Sequence, residues 1–366
     1  MVSEGDLIMI NPSGSSTGDN MNNILAVTVT YGNRFHLLRQ VIDAALNEGV
    51  NKVIVVDNNS EPESRQKLKT YHERNKDKVD VLYLSENLGS AGGFKRGLEM
   101  AYDDPECKFI WLLDDDNMPC PGSLETLKKF WKKFDLENKK EKLALLSFRE
   151  DRYDRKNLIE ALTFKKPELV LPRKNSFGGF HIFEFPKYIK KIVFKKLDIQ
   201  EKDFKMPGFG PVAVTPYGGL FFNKSLLDII GYPKEEFYVY SDDYEWTYRI
   251  TRNGGKIILL TESYITDIDD SWHTTQKDTW LSVFTPSNAF RIYYTIRNGI
   301  YFGNYFLDNK FIYYLNMLLF LFFVLLHNLT FLRDITGFKF ILMAIEDANK
   351  CKLGRNPLFQ SEDWSE

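Results

Sequence analysis

From Ile24 onward the sequence alternates short, β-branched apolar runs with segments of helical period, and this alternation constrains the fold more than any other feature. The first run is 24–31 (ILAVTVTY). Residues 34–46 follow, with Leu37, Leu38, Val41, Ile42 and Leu46 at helix-face spacing. Residues 52–57 (KVIVVD) form a second buried strand, followed by the loop Asn58-Asn59-Ser60 and a polar helix over about 63–75. A third strand, 79–84, leads through a Gly-rich turn into a helix that ends near Tyr102. Residues 109–113 (FIWLL) are the fourth strand and run into three aspartates. Such alternation predicts an α/β protein, a doubly wound and mostly parallel sheet flanked by helices. Ligands of such sheets bind beyond the carboxyl ends of the strands, where Thr30, Asp57, Asn87 and Asp114 fall.

The 366 residues suggest two or three domains, or one large domain with additions. With 43% hydrophobic and 27% charged residues, global disorder is excluded. Forty-eight basic residues nearly cancel 50 acidic ones, so no chain-wide cationic field exists to bind nucleic acid. Cys107, Cys120 and Cys351 are odd in number and widely spaced, which points to a reducing compartment rather than a disulfide framework. Residues 1–22 read as a flexible leader without a signal-peptide core. Two halves, 23–150 and 211–283, flank a basic, irregular insertion at 151–210. Its lysines at 165–166, 187, 190–191, 195–196, 202 and 205 form either a solvated surface or one facing anionic lipid or a phosphorylated acceptor. After 211, structure is expected at 212–222, a helix at 241–253 and a strand at 256–260.

Residues 284–366 form a C-terminal helical, aromatic-rich region. Residues 311–332 contain no Asp, Glu, Lys or Arg, although Asn316, His327 and Asn328 interrupt the run. Three readings fit it: a transmembrane helix, an interfacial helix lying on a membrane, or a buried or oligomer-forming helix, the last joining subunits through 305–345.

Four clusters carry candidate chemistry. In Trp111-Leu112-Leu113-Asp114-Asp115-Asp116 an apolar strand delivers three carboxylates into a loop, costly unless a cation neutralises them. Alternate residues of an extended chain project the same way, so Asp114 and Asp116 can share one hard divalent ion while Asp115 points elsewhere. Tyr240-Ser241-Asp242-Asp243-Tyr244-Glu245-Trp246 opens a helix, with Ser241 as its N-cap. Its acidic first turn is either dipole compensation or a general base, Asp243, beside a hydroxyl-orienting Asp242. Asp269-Asp270-Ser271-Trp272-His273 adds acidic residues and a histidine in a polar loop, a mixed set that suits Mn²⁺ or Mg²⁺. The stretch 87–97, with Gly89, Gly92, Gly93 and Gly97, is either an anion-binding helix start aided by Lys95 and Arg96 or a close-packing turn.

Taken in order, Thr28-Val29-Thr30-Tyr31 with Asn33-Arg34, Val55-Val56-Asp57-Asn58-Asn59-Ser60, Asn87-Leu88-Gly89 with Gly92-Gly93, and the aspartate triplet resemble the family 2 glycosyltransferases of GT-A fold. The resemblance covers roughly 23–300. The later half is similar to the galactofuranosyltransferase and rhamnosyltransferase branches, through Gly218-Gly219-Leu220-Phe221-Phe222, Asp242-Asp243-Tyr244-Glu245, Trp272-His273 and Tyr293-Tyr294 followed by Arg297-Asn298. Two features depart from the pattern: Gly32 separates Tyr31 from Asn33-Arg34, and the lysine-rich insertion is longer and more basic.

The resemblance implies an inverting, metal-dependent glycosyltransferase with its donor site in 23–150 and its acceptor and catalytic site in 211–283. Thr30, Arg34, Asp57, Asn87, Gly89, Gly93, Arg96, Asp114 and Asp115 would bind the donor. Asp114, Asp116 and His273 would hold Mn²⁺ or Mg²⁺. Asp243 would deprotonate the acceptor hydroxyl, with Asp242 beside it, and Gly218, Gly219, Tyr240, Trp246 and Trp272 would contact the acceptor. Arg297 would either touch the pyrophosphate or only pack. The donor would be UDP-galactofuranose or, as the alternative, dTDP-rhamnose. The acceptor would be a cell-surface glycan or lipid-linked sugar, met at the inner face of a bacterial membrane. Two other functions stand beside this one: a sugar nucleotidyltransferase and a non-catalytic membrane adaptor.

Overall fold

Strands apolar on both faces are stable only between two covering layers, and the sheet is built that way. The computed structural model describes residues 21–150, 153–184, 206–269, 281 and 283–359. Among them a nine-stranded sheet comprises β1 (Ile24–Thr30), β2 (Lys52–Asp57), β3 (Val79–Tyr83), β4 (Phe109–Asp114), β5 (Asn117–Pro119), β6 (Leu143–Phe148), β7 (Phe209–Val212), β8 (Leu220–Asn223) and β9 (Lys256–Asp267). The strand order is β3-β2-β1-β4-β8-β6-β9-β5, with β7 also paired to β9. β1 pairs in parallel with β2 and β4, β2 with β3, and β6 with β9. β8 runs antiparallel between β4 and β6. The chain winds outward from β1 to β3 and then returns to β4, so the topological switch point lies between β1 and β4.

Helices α1 (Phe35–Asn47), α2 (Pro62–Arg74), α3 (Gly89–Asp103), α4 (Ser123–Lys133), α5 (Arg155–Phe164) and α6 (Asp242–Arg252) accompany the sheet. Alternate strand residues sort onto its two faces. Val27, Val56 and Leu112 pack with Phe94 and Leu98 of α3, Leu158 of α5 and Trp246 of α6. Ala26, Val55 and Trp111 pack with Leu38 and Val41 of α1 and Trp131 of α4. β6, β8 and the extension of β9 to Asp267 enlarge the sheet beyond the strands legible in the sequence, and strands from either side of 151–205 share it.

The glycines of α3 set how closely it approaches the sheet. A Cβ on Gly93 or Gly97 would lie 2.5 Å from Cγ1 of Val29 or Val27 respectively. Gly89 has φ +71°, and a Cβ there would fall 2.0 Å from the carbonyl oxygen of Tyr238.

A separate core joins α7 (Ala289–Gly303), α8 (Lys310–His327) and α9 (Thr336–Asn349) around Tyr293, Phe320 and Ile341, with Phe177 and Phe180 from the first part of the 151–210 stretch. The lysines of that stretch from 187 onward lie outside the described residues. With its continuation to Leu332, α8 is 23 residues long with mean hydropathy 2.0, and 22% of its apolar window is buried. It is long and apolar enough to cross a membrane by length and composition. Phe311, Tyr314, Leu318, Phe322 and Leu326 are exposed along one face. Two of the polar residues that interrupt the run, Asn316 and Asn328, face the protein. Asn316 is fully buried, donates to the carbonyl of Asn175 at 2.8 Å and accepts from the amide of Ile182 at 2.9 Å.

The α3 contact gives a stability prediction. Gly97→Val forces the helix off β1 and is expected to cost about 2 kcal/mol or more through overpacking. A urea midpoint equal to that of the parent protein would refute this packing role.

Candidate active site

β1 and β4 end side by side, and the first functional contacts form between their ends. Thr30, the last residue of β1, donates its hydroxyl to Asp115 Oδ2 at 2.7 Å. Arg34, just before α1, donates from Nε to both oxygens of Asp115 at 3.0 and 3.1 Å. Its other nitrogens reach Asp116 Oδ2 at 2.8 Å and Asp269 Oδ2 at 2.5 Å. The guanidinium also lies over the Tyr31 ring, 5.3 Å from its centroid.

The aspartate triplet is not extended, contrary to the sequence expectation. After Asp114 the chain turns through Asp115 and Asp116 before β5. The alternation that would aim Asp114 and Asp116 at one ion therefore does not apply. Asp115 and Asp116 share Arg34 instead, while Asp114 Oδ2 accepts from Arg149 at 2.9 Å. Arg149, almost fully buried, also binds Asn117 Oδ1 and reaches Asp267 at 3.1 Å. Burial raises the pKa of all three aspartates. Asp116 is pushed up to about 8 by burial and by the charges of Asp115 and Asp114. Among the described residues, no three His, Cys, Asp or Glu side chains converge to hold a metal.

The second acidic pair opens α6. Asp242 is buried and accepts from Ser90 Oγ at 2.8 Å and Tyr217 OH at 3.0 Å. Burial raises its pKa to about 6, although both hydroxyl donors oppose the shift. Asp243 is raised well above the ordinary carboxylate range by burial and then by Asp242, and it also feels the charge of Asp114. Ser241 occupies the N-cap position but its side chain does not cap the helix, because its φ is +61°. Tyr238 and Tyr240 also have positive φ, +66° and +63°, a strained run for side-chain-bearing residues. Asn298 of α7 braces it, donating to the carbonyls of Phe237, Val239 and Tyr240 at 2.8, 2.7 and 3.0 Å. Arg297, almost fully buried, donates to Phe237 O at 3.1 Å and to Gly354 O at 2.6 Å. Of its two sequence readings, the packing one holds.

These groups border a cavity of about 500 Å³, lined by Tyr31, Arg34, Asn58, Asn87, Gly89, Ser90, the three aspartates 114–116, Tyr240 and Arg291. Thr30 and Asp242 stand one contact behind its wall. Asp57 is buried behind it, accepting from the Ser60 amide at 2.7 Å and paired with Arg65 at 2.8 Å. Gly93 packs on Val29 and Asn58. Gly218 leaves no room for a Cβ beside Asn117, Arg149 and Asp114, and Gly219 has φ +94°. Asp243, Arg96 and Trp246 do not line it either. Arg96 pairs with Glu99 and Glu235 on the outer side of α3. Trp246 fills the core and donates its indole N–H to Gly231 O at 2.8 Å. Trp272 and His273 lie outside the described residues. Sequence reasoning passed over Arg149, Tyr217, Ser90 and Arg291. Arg149 had a usable signal, since it follows the apolar run 143–148 at the carboxyl end of a strand.

Fold and site together define an α/β protein with an acidic cavity at the carboxyl edge of its sheet. Residues 26–138 match the model of Glycosyl transferase family 2, less than half of the chain. No curated protein matches the chain. Among solved structures, GalNAc-T7 with UDP, GalNAc and Mn²⁺ aligns at 12% identity and TM-score 0.48 over 69% of this chain and 45% of its own. S. aureus TarS aligns at 15% identity and TM-score 0.42 over 68% of this chain and 37% of its own. TarS 1–349 in complex with UDP aligns at 16% identity and TM-score 0.42 over 67% and 60%. The chain thus spans less than two thirds of each of these proteins.

Two predictions follow from the geometry. Asp242 has a folded pKa of about 6 against an ordinary 3.8, so the folded state holds its proton more tightly. Its burial penalty is absent below about pH 4 and complete above about pH 6, so this group makes stability fall as pH rises through that window. Asp242→Asn should lose the fall, gaining about 1–3 kcal/mol over the parent by neutral pH, with little difference near pH 4. Urea titrations of both proteins across this range test it, and a pH-independent difference would contradict it. Asn298→Ala leaves three loop carbonyls without their donor and should cost about 1–3 kcal/mol in thermal unfolding.

Proposed function

We propose that the chain is an inverting, metal-dependent glycosyltransferase acting on a nucleotide-sugar donor. One observation carries the reading: the segment matched by the family model supplies the acidic turn of the cavity, and Asp242 of α6, next to Asp243, stands behind the same cavity through Ser90. Asn58, Asn87 and Gly89 line the side suited to the nucleoside, and Arg291 supplies a cation for the diphosphate. No ion pair engages Arg291 among the described residues, whereas Arg34 is committed to three carboxylates.

The residues fit a divalent cation on grounds of charge. Asp114, Asp115 and Asp116 bring three carboxylates to one cavity wall, and burial, followed by the charges of Asp115 and Asp114, raises the pKa of Asp116. Asp114 and Asp116, with His273 from the resemblance, would hold Mn²⁺ or Mg²⁺. Bound there, the ion would supply positive charge for the leaving diphosphate. The chain's own chemistry is proton transfer. Asp243 takes the proton of the acceptor hydroxyl as its oxygen bonds to the anomeric carbon. The bond from that carbon to the diphosphate oxygen breaks, and its electron pair leaves with the nucleoside diphosphate. A single displacement inverts the anomeric centre, the reverse of the logic of inverting glycosidases. The raised pKa of Asp243 makes it a stronger base than an exposed aspartate.

Galactofuranose is the favoured sugar, supported by the Asp242-Asp243-Tyr244-Glu245 and Trp272-His273 pairings, with rhamnose as the alternative. The acceptor is a cell-surface glycan or lipid-linked sugar at the inner face of a bacterial membrane. The exposed apolar face of α8 supports that location. Self-association through 305–345 is the competing use of the same face.

A donor screen with Mn²⁺, following release of nucleoside diphosphate, tests the reading. Turnover of UDP-galactofuranose is expected, falling by at least about 10²-fold in Asp243→Asn with nucleotide binding retained. Asp116→Ala should abolish turnover, and Arg291→Ala should weaken UDP binding about tenfold more than uridine binding. Turnover of dTDP-rhamnose instead would move the protein to the rhamnosyl branch. Consumption of a nucleoside triphosphate would make it a nucleotidyltransferase. Silence with every donor, even with lipid-linked acceptors added, would leave the membrane adaptor.

A further inference from the structure

We infer that a second cavity, beside the start of α6, seats the hydrocarbon chain of a lipid-linked acceptor. The inference rests on the glycosyl-transfer reading and specifies its acceptor class. This cavity is about 350 Å³ and shares one loop with the first: Tyr240 lines the first cavity, while Ser241 and Tyr244 line the second. Asp243 therefore lies between two residues that face the second cavity.

The two cavities differ in chemistry. Three aspartates and two arginines line the first. Among the described residues no Asp, Glu, Lys or Arg lines the second, whose walls include Leu171, Phe177, Ile296, Ile300 and Phe302. A sugar or phosphate there would lose its water without gaining enough polar partners, whereas an alkyl or prenyl chain loses nothing. The cavity has unfilled room along α7. A Cβ on Gly299 or on Gly303, one turn later, would meet no atom within 4 Å.

The occupant follows from what the walls connect. Tyr313 of α8 lines the cavity, and its neighbours Phe311 and Tyr314 begin the exposed apolar face that continues through Leu318 and Phe322. One boundary thus belongs to the helix start that carries the base, and another to the most apolar surface helix among the described residues. A molecule with a reactive hydroxyl at its head and a long apolar tail meets both. A free sugar or an oligosaccharide meets only the first.

The test plugs the cavity without touching donor site or base. Gly299→Leu and Gly303→Leu place a side chain into open space, and leucine favours the helix over glycine, so both variants should fold. The probe is cis-parinaric acid, an 18-carbon fatty acid that fluoresces when it leaves water. The purified full chain should bind it saturably, and each leucine variant at least tenfold more weakly, with an unchanged melting temperature and unchanged UDP affinity. With acceptors bearing long and short alkyl chains, the variants should lose the preference for the long chain.

No probe binding by the parent protein, or equal binding by parent and variants, overturns the inference and leaves glycosyl transfer standing. Binding lost in Phe322→Ser but kept in both leucine variants moves the chain to the outer face of α8 and also overturns it. Chain binding by a protein that turns over no donor overturns the assignment as an acceptor seat, and the failure then belongs to the transfer reading.

Discussion

Crowded carboxylates at one edge of the sheet set the terms for everything around them. Asp114, Asp115, Asp116, Asp267 and Asp269 come together around Arg34 and Arg149. Such a cluster is costly to bury unless each charge finds a partner. The partners found here are also the structural ties: Arg34 binds the end of β4 to the start of α1 and to the segment after β9, and Arg149 binds β4, β5 and β9 at the end of β6. The site's geometry and its charge balance are thus one arrangement. Burial, and then the charges of Asp115 and Asp114, raises the pKa of Asp116 within it.

The C-terminal helices enter this arrangement through backbone strain. The loop before α6 holds Tyr238, Tyr240 and Ser241 at positive φ, which persists only where surroundings over-determine it. Asn298 and Arg297 of α7 provide that, with bonds to the loop's carbonyls. α7 in turn packs on α8 and α9 around Tyr293 and Phe320. The position of Asp242 and Asp243 therefore depends on the same helices whose outer face is apolar and exposed.

Much of this was legible in the sequence. Alternating apolar runs located β1 to β4, because buried parallel strands are apolar throughout and leave a strong signal. The acidic turn and the α6 carboxylates were legible because charge after an apolar strand, or in a first helical turn, is locally conspicuous. What was not legible depends on long-range packing. Arg149 meets Asp267 across 118 residues, and Tyr217 meets Asp242 across 25. Trp246 was assigned to the acceptor because aromatic residues near carboxylates suit sugars, yet it lies on the helix face that meets β8 and the core. Arg96 was assigned to phosphate from its place after the glycines. Its partner Glu235 lies 139 residues away and no local pattern announces it. The extended-chain argument for Asp114 and Asp116 failed because a two-residue turn leaves no local signature stronger than the carboxylates themselves.

The asparagines of α8 bear on how the two ends of the molecule work together. In the sequence they count against a membrane-facing helix, since they break an apolar run. In the structure Asn316 and Asn328 are both buried on the protein side, and the exposed side keeps only apolar residues over four turns. The interruptions are therefore what fastens the helix to the body, with Asn316 tying it to the segment that carries Phe177. The same segment walls the second cavity, which Ser241 and Tyr244 also line. A charged donor and an apolar acceptor cannot share one pocket without one of them losing its solvation uncompensated. For the proposed transfer, a polar cavity and an apolar one that meet at the strained loop before α6 would remove that conflict.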